Sequence, residues 1–101
     1  MTYIFENYEL HPDLHELRKN GCICPIEPQV FDLLLYLVEN RDRTISKDEL
    51  NERIWNGRIV SDDALSSCLK SARRAVGDNG KKQAFIRTFP RRGIRFVGMV
   101  K

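Results

Sequence analysis

The sequence lacks any apolar stretch long enough to cross a bilayer as a helix, and its best run, Val30 to Val38, is interrupted by Asp32. Its N-terminus lacks a basic segment followed by an apolar core, so no secretory leader is expected and a cytoplasmic location follows as an expectation. Cysteine is scarce and odd in number, with 3 in 101 residues. Cys22 and Cys24 would share one face of any strand, a poor disulfide geometry, and no second Cys or His pair completes a zinc set. All three, Cys68 included, read as reduced thiols serving as small apolar residues.

Histidine is equally rare. His11 and His15 lie in one segment, "HPDLHE", where Pro12 argues against a shared helix face. That excludes a His-Glu-x-x-His metal site, and it leaves no Ser-His-Asp or Cys-His arrangement with a placed base. "GDNG", Gly77 to Gly80, lacks the Lys-Ser/Thr ending of a phosphate loop and reads as a helix stop. No enzyme activity, metal or cofactor is expected.

What the sequence does have is segregated charge. From Met1 to Gly57 there are 6 basic and 11 acidic residues, a balance of −5. From Arg58 to Lys101 there are 11 basic and 3 acidic residues, a balance of +8. Such asymmetry points to a polyanionic partner for the C-terminal half.

The hydrophobic pattern predicts one α+β domain over residues 1–101. "YIFENYEL" alternates as a strand, and "HELRKNGCICPI" reads as two strands about a Lys19-Asn20-Gly21 turn. Together they predict a small antiparallel sheet over about 3–26. "EPQVFDLLLYLVENRDR" predicts a helix over 28–40 with Pro28 at its first position, where its missing N–H costs nothing. It is apolar nearly all round, which predicts a central, buried helix. "SKDELNERIW" predicts a second helix over 47–55, opened by a capping box of Ser46 and Glu49. "AFIRTF" and "IRFVGM" predict a hairpin over 84–99, turned by "PRRG".

The third helix, over 62–76, carries the functional signal. Ser61, Asp62 and Asp63 suit its N-terminus, Arg73 and Arg74 its last turn, and Gly77 a left-handed stop. At roughly 100° per residue, Leu65, Leu69, Ala72 and Val76 form one stripe, flanked by Cys68 and Ala75. The opposite stripe holds Asp63, Ser67, Lys70, Ser71 and Arg74. Small hydroxyls and basic ends suit an approach to DNA bases and phosphates in a major groove about 12 Å wide. Arg91 and Arg92 at the hairpin tip suit an adjacent minor groove or its phosphates.

The order and spacing of "FENYEL", "ELRKNG", "FDLLLYL", "ISKDELNERIW", "VSDDALSSCLKSARRAVGD" and "FIRTFPRRGIRFVG" resemble the winged-helix (winged helix-turn-helix) DNA-binding domain of OmpR/PhoB-type bacterial transcription regulators. The resemblance covers essentially the whole chain. It implies an N-terminal four-stranded antiparallel sheet, three helices and a C-terminal β-hairpin wing. It implies sequence-specific binding of double-stranded DNA, helix 62–76 in the major groove and hairpin 84–99 beside it. The candidate DNA contacts are Arg58, Ser67, Lys70, Ser71, Arg73, Arg74, Arg87, Thr88, Arg91 and Arg92. The loop of Trp55, Asn56, Gly57, Arg58, Ile59 and Val60 corresponds to one that touches RNA polymerase in some relatives, and a homodimer on DNA is compatible with the family. The chain departs from the pattern at Glu27-Pro28, where relatives commonly have Thr-Pro, and at Arg91-Arg92-Gly93-Ile94, where many have a glycine-rich tip before an aromatic residue. With Met1 almost against the first strand, the expectation is an N-terminal output domain without the phosphate-receiver domain of response regulators, similar to the ToxR/CadC-like group or to regulators fused to a larger sensing domain. In that arrangement a longer protein could be membrane-tethered.

Two bland readings stand beside these. Trp55 after an amphipathic helix suits core packing better than an exposed contact. Cys68 has nothing beyond nearby basic residues to make it a redox switch. The competing function class is a winged helix used for protein contact or dimerisation, which exposed apolar residues on the third helix or wing would mark.

Overall fold

The computed structural model describes residues 1–58 and 60–101. β1 (Tyr3–Phe5), β2 (Tyr8–His11), β3 (Glu16–Lys19) and β4 (Cys22–Cys24) come first. α1 (Pro28–Glu39), α2 (Lys47–Ile54) and α3 (Asp62–Ala75) follow, then β5 (Ile86–Phe89) and β6 (Gly93–Phe96). The first four strands form an antiparallel meander in the order β1-β2-β3-β4, and β5 pairs with β6 as the hairpin.

"YIFENYEL" is two strands, contrary to the single strand expected. Phe5 pairs directly with Tyr8, so Glu6 and Asn7 are a two-residue turn. Glu6 takes φ +51, the left-handed conformation such hairpin turns need. The spacing of the buried residues records it: Leu10 follows Tyr8 by two, but Tyr8 follows Phe5 by three, out of step with one continuous strand.

α1 is the central helix. Val30, Phe31, Leu33, Leu34, Leu37 and Val38 are all buried, which requires cover from more than one side. Pro28 occupies its first turn, and Glu27 supplies no side-chain cap. His15 packs its ring 4.1 Å from Phe31 and bonds Asp32 at 3.0 Å, pinning the β2–β3 turn to α1. His11 bonds Glu9 at 2.9 Å, so the two histidines serve separate local contacts.

The capping box at α2 is half formed. Ser46 Oγ accepts from the Glu49 N–H at 3.1 Å. The Glu49 carboxylate does not reach back to the helix start. It accepts instead from the Tyr36 hydroxyl and from Arg43 Nη1 at 2.9 Å, joining α1, the α1–α2 connection and α2. The Arg43 guanidinium, helped by Tyr36, holds the Glu49 carboxyl down at about 2. Bidentate Arg pairing outcompetes a single backbone N–H as a carboxylate partner.

The hairpin is fastened to the body from three sides. Ile45 and Ile94 exchange backbone hydrogen bonds of 2.7 and 2.8 Å, an isolated antiparallel bridge that ties the α1–α2 connection to β6. Arg95 Nε donates to the Arg41 carbonyl at 2.9 Å. Phe96 meets Phe5 edge-on at 5.0 Å, and Phe85 lies 5.6 Å from Phe5, so wing and N-terminal sheet share one aromatic cluster. Among the described residues, no helix is long and apolar enough to cross a membrane.

Candidate nucleic-acid interface

α3 forms because its ends are closed and one stripe is apolar. Ser61 Oγ accepts from the Ala64 N–H at 3.1 Å. Asp62 and Asp63 sit in the first turn, and Arg73 and Arg74 in the last, matching the helix dipole at both ends. Gly77 at φ +71 ends it, and the Asp78 N–H returns to the Arg73 carbonyl at 2.8 Å. Leu65, Cys68, Leu69 and Ala72 are buried, and α1 packs along this side. Asp63, Ser66, Ser67, Lys70, Ser71 and Arg74 are all exposed. The outer face therefore carries hydroxyls, two basic ends and no large apolar side chain.

The wing supplies the second basic element. Arg87 is exposed at one strand edge with its guanidinium 5.3 Å from the Phe89 ring centroid. Arg91 and Arg92 are exposed in the tight turn, with Arg91 at φ +65 and the Arg92 N–H closing onto the Phe89 carbonyl at 3.0 Å. An open concavity of about 460 Å³ separates this turn from the start of α2, with Lys47 on its far wall. Lys47 is thus a basic neighbour of the wing tip that the sequence pattern did not single out.

Arg73 stands apart from the other candidate contacts. It is half-buried, its Nε donates to the Ile86 carbonyl at 3.0 Å, and its Nη2 donates to Thr88 Oγ1 at 2.7 Å. Arg73 and Thr88 are therefore partners of one another. Besides Asp63 at the start of the outer stripe, Glu27 is an acidic neighbour of this face: it borders the same shallow concavities as Ser67, Ser71 and Arg74.

Asp78 does more than sit in the turn that ends α3: it holds the α3–β5 connection together. Its carboxylate accepts from the backbone N–H groups of Asn79, Ala84, Phe85 and Ile86 at 2.7–3.1 Å. Burial pushes its carboxyl up, but the four backbone donors outweigh that and hold it below the usual carboxylate range. The acceptor of these bonds is visible in the sequence; the donors, being main-chain, are not.

Cys68 is buried, and its thiol lies 4.0 Å from the Gln29 carbonyl. Burial, reinforced by the Glu27 charge, pushes it up to about 11, which leaves a protonated, inert thiol. Trp55 is buried too, while Asn56, Gly57 and Arg58 beyond it are exposed and Val60 is half-buried. Ile59 lies outside the described residues, so its expected place in that loop carries no structural description.

Residues 24–96 match the family described as "Transcriptional regulatory protein, C terminal". The chain belongs to this OmpR/PhoB-type family. Its members are DNA-binding domains of transcription regulators, which are not an enzyme class. Among curated proteins, the OmpR/PhoB-type chain is 26% identical over 87 residues to the transcriptional activator CadC of Escherichia coli K12, covering 85% of itself but 17% of CadC. The chain thus spans under a fifth of that relative's length. Among solved structures, it superposes on the DNA-binding domain of E. coli CadC with a TM-score of 0.83 at 24% identity, covering 99% of this chain and 94% of that one. The Klebsiella pneumoniae RstA DNA-binding domain, solved in complex with the RstA box, gives 0.83 at 19% identity over 95% and 96% of the two chains. These structural likenesses establish the winged-helix fold.

Proposed function

We propose that this domain binds double-stranded DNA sequence-specifically in bacterial transcription regulation, with α3 in the major groove and the β5–β6 hairpin as a wing against the flanking backbone. The observation that carries the reading is the outer stripe of α3: Ser67, Lys70, Ser71 and Arg74 exposed opposite a buried apolar stripe, beside a hairpin carrying Arg87, Arg91 and Arg92. Serines let a helix approach base edges closely, and Lys and Arg reach guanines or phosphates. Among the described residues, the exposed large apolar side chains lie off α3 and off the hairpin turn: Met1, Ile4, Leu14 and Ile23 in the N-terminal part, and Val97 and Met99 after the end of β6. That distribution speaks against protein contact through α3 or the wing tip. A cytoplasmic placement, facing the chromosome, belongs to the same reading.

Binding to any duplex should weaken as salt rises. Neutralising about four phosphates gives a slope of log affinity against log salt of roughly −3 to −4. Titration of a labelled duplex at several salt concentrations measures it. Salt-independent binding, or none at low salt, would remove the DNA reading and favour the protein-contact one.

The loop at Trp55–Arg58 and Val60 is proposed as the surface that meets RNA polymerase. Trp55 anchors it in the core, while Asn56 at φ +53 and Gly57 at φ +77 turn the chain outward to an exposed Arg58. Arg58→Ala should lower transcription from a target promoter while leaving duplex affinity within about threefold. A larger loss of affinity would make Arg58 a phosphate contact instead.

A further inference from the structure

Arg73 lies on the reading helix, is basic, and would be counted among its DNA contacts by position alone. Its geometry assigns it another task. The guanidinium is half-buried between α3 and the wing, and two of its donors are committed to β5: Nε to the Ile86 carbonyl at 3.0 Å and Nη2 to Thr88 Oγ1 at 2.7 Å. Both acceptors lie on one strand, two residues apart, so a single rigid fork fixes the height of β5 against the last turn of α3.

The contact also determines what Thr88 can do. A threonine hydroxyl has one O–H donor and two acceptor lone pairs. Arg73 occupies an acceptor position with a charge-assisted bond, which leaves the hydroxyl proton to be donated elsewhere and polarises it. The Thr88 backbone N–H is already taken by Gln83 Oε1 at 2.9 Å, so the residue cannot turn to reuse that donor. Thr88 is half-buried, on the strand whose neighbours Arg87, Arg91 and Arg92 are exposed.

We infer that Arg73 is a positioning residue that aims the Thr88 hydroxyl at a DNA phosphate and sets the spacing between recognition helix and wing, rather than a contact to the duplex itself. The inference rests on the DNA-binding reading. A neutral hydroxyl held by a buried cation gives an aimed donor at the wing, where mobile arginines give only charge.

The test measures duplex affinity at one fixed salt concentration for the wild-type domain, Arg73→Lys, Thr88→Val, Thr88→Ser and the double variant Arg73→Lys/Thr88→Val. Thermal melting of each reports the fold. Lysine keeps the charge but cannot span two acceptors, and valine keeps the shape of threonine without its hydroxyl. Arg73→Lys and Thr88→Val should each weaken binding about tenfold, the scale of one lost charge-assisted hydrogen bond. The double variant should be little worse than either single one, because both remove one coupled unit. Thr88→Ser should restore most of what Thr88→Val loses. Arg73→Lys within about twofold of wild type, multiplied losses in the double variant, or a harmless Thr88→Val would each overturn the inference. Should Arg73→Lys fail to fold, the contrast of Thr88→Val with Thr88→Ser still decides it. A wild-type domain that binds no duplex overturns the DNA reading itself, which separates the two failures.

Discussion

Gly93→Ala should lower the melting temperature by roughly 10–25 °C, the equivalent of about 3 kcal/mol in a domain this small. Gly93 holds φ +140, which side-chain-bearing residues rarely adopt. A Cβ there would lie 2.0 Å from the Ile45 carbonyl oxygen and 2.6 Å from its carbon. Those are backbone atoms, and they are not free to yield. The Ile45 carbonyl is the acceptor for the Ile94 N–H at 2.8 Å, and the Ile45 N–H donates back at 2.7 Å. Relief requires breaking both bonds and prising apart Ile45 and Ile94, each fully buried. Backbone strain at the low end, about 1 kcal/mol, and two lost hydrogen bonds of about 1 kcal/mol each combine to the expected cost, which larger strain would only raise. Gly80→Ala is the matched control, since nothing lies within 4 Å of its Cβ position and its φ is not positive. It should change stability by less than about 0.5 kcal/mol. A Gly93→Ala domain melting with the wild type would mean the wing is not bonded to the α1–α2 connection as described.

That connection matters for function because the wing has little support of its own. A two-stranded hairpin is marginal in water. Here the Ile45–Ile94 bridge, Arg95 on the Arg41 carbonyl, and Arg73 on β5 hold it against the helices. The basic turn at Arg91 and Arg92 is thereby presented at a fixed place relative to α3.

Much of this was legible in the residues. Pro28 and the dense apolar pattern of α1, Ser61 with its acidic first turn, and the paired strands about "PRRG" each specify local structure through side chains in plain view. The buried position of Trp55 followed from its place at the end of an amphipathic helix. The β1–β2 turn is hard to see in the residues because Glu6-Asn7 lacks the glycine that usually announces a left-handed turn; only the three-residue step from Phe5 to Tyr8 marks it. Glu49 departs from the expected capping box because Tyr36 and Arg43 approach it from elsewhere in the chain. Arg73 and Asp78 were opaque for a different reason. Asp78 is met by backbone N–H groups of β5 and the preceding loop, and Arg73 by a backbone carbonyl and the Thr88 hydroxyl of β5; main-chain atoms leave no trace in residue identity, and the hydroxyl comes near only through the fold.

The division of labour between helix and wing has the most direct consequence for sequence choice. Lys70 and Arg74 are exposed on α3 opposite its buried stripe. Each makes a base contact only if α3 enters the groove with that face, and losing such a contact should cost roughly 1–3 kcal/mol on the preferred site while relaxing choice at particular base pairs. Arg91 and Arg92 sit at a turn, where phosphate contact is the expected role. Removing both should weaken preferred and random duplexes about equally and make the salt slope shallower by roughly one unit per lost phosphate contact. Stability should barely change in either case, because all four side chains are exposed. The deciding measurement is a binding selection over a randomised duplex, run on the wild-type domain, Lys70→Ala, Arg74→Ala and the Arg91→Ala/Arg92→Ala pair. The expected result is a defined preference for the wild type, loss of choice at distinct positions for the two helix variants, and an unchanged preference at lower affinity for the wing variant. Helix variants that keep the full preference while the wing variant loses it would contradict α3 as the reader of sequence.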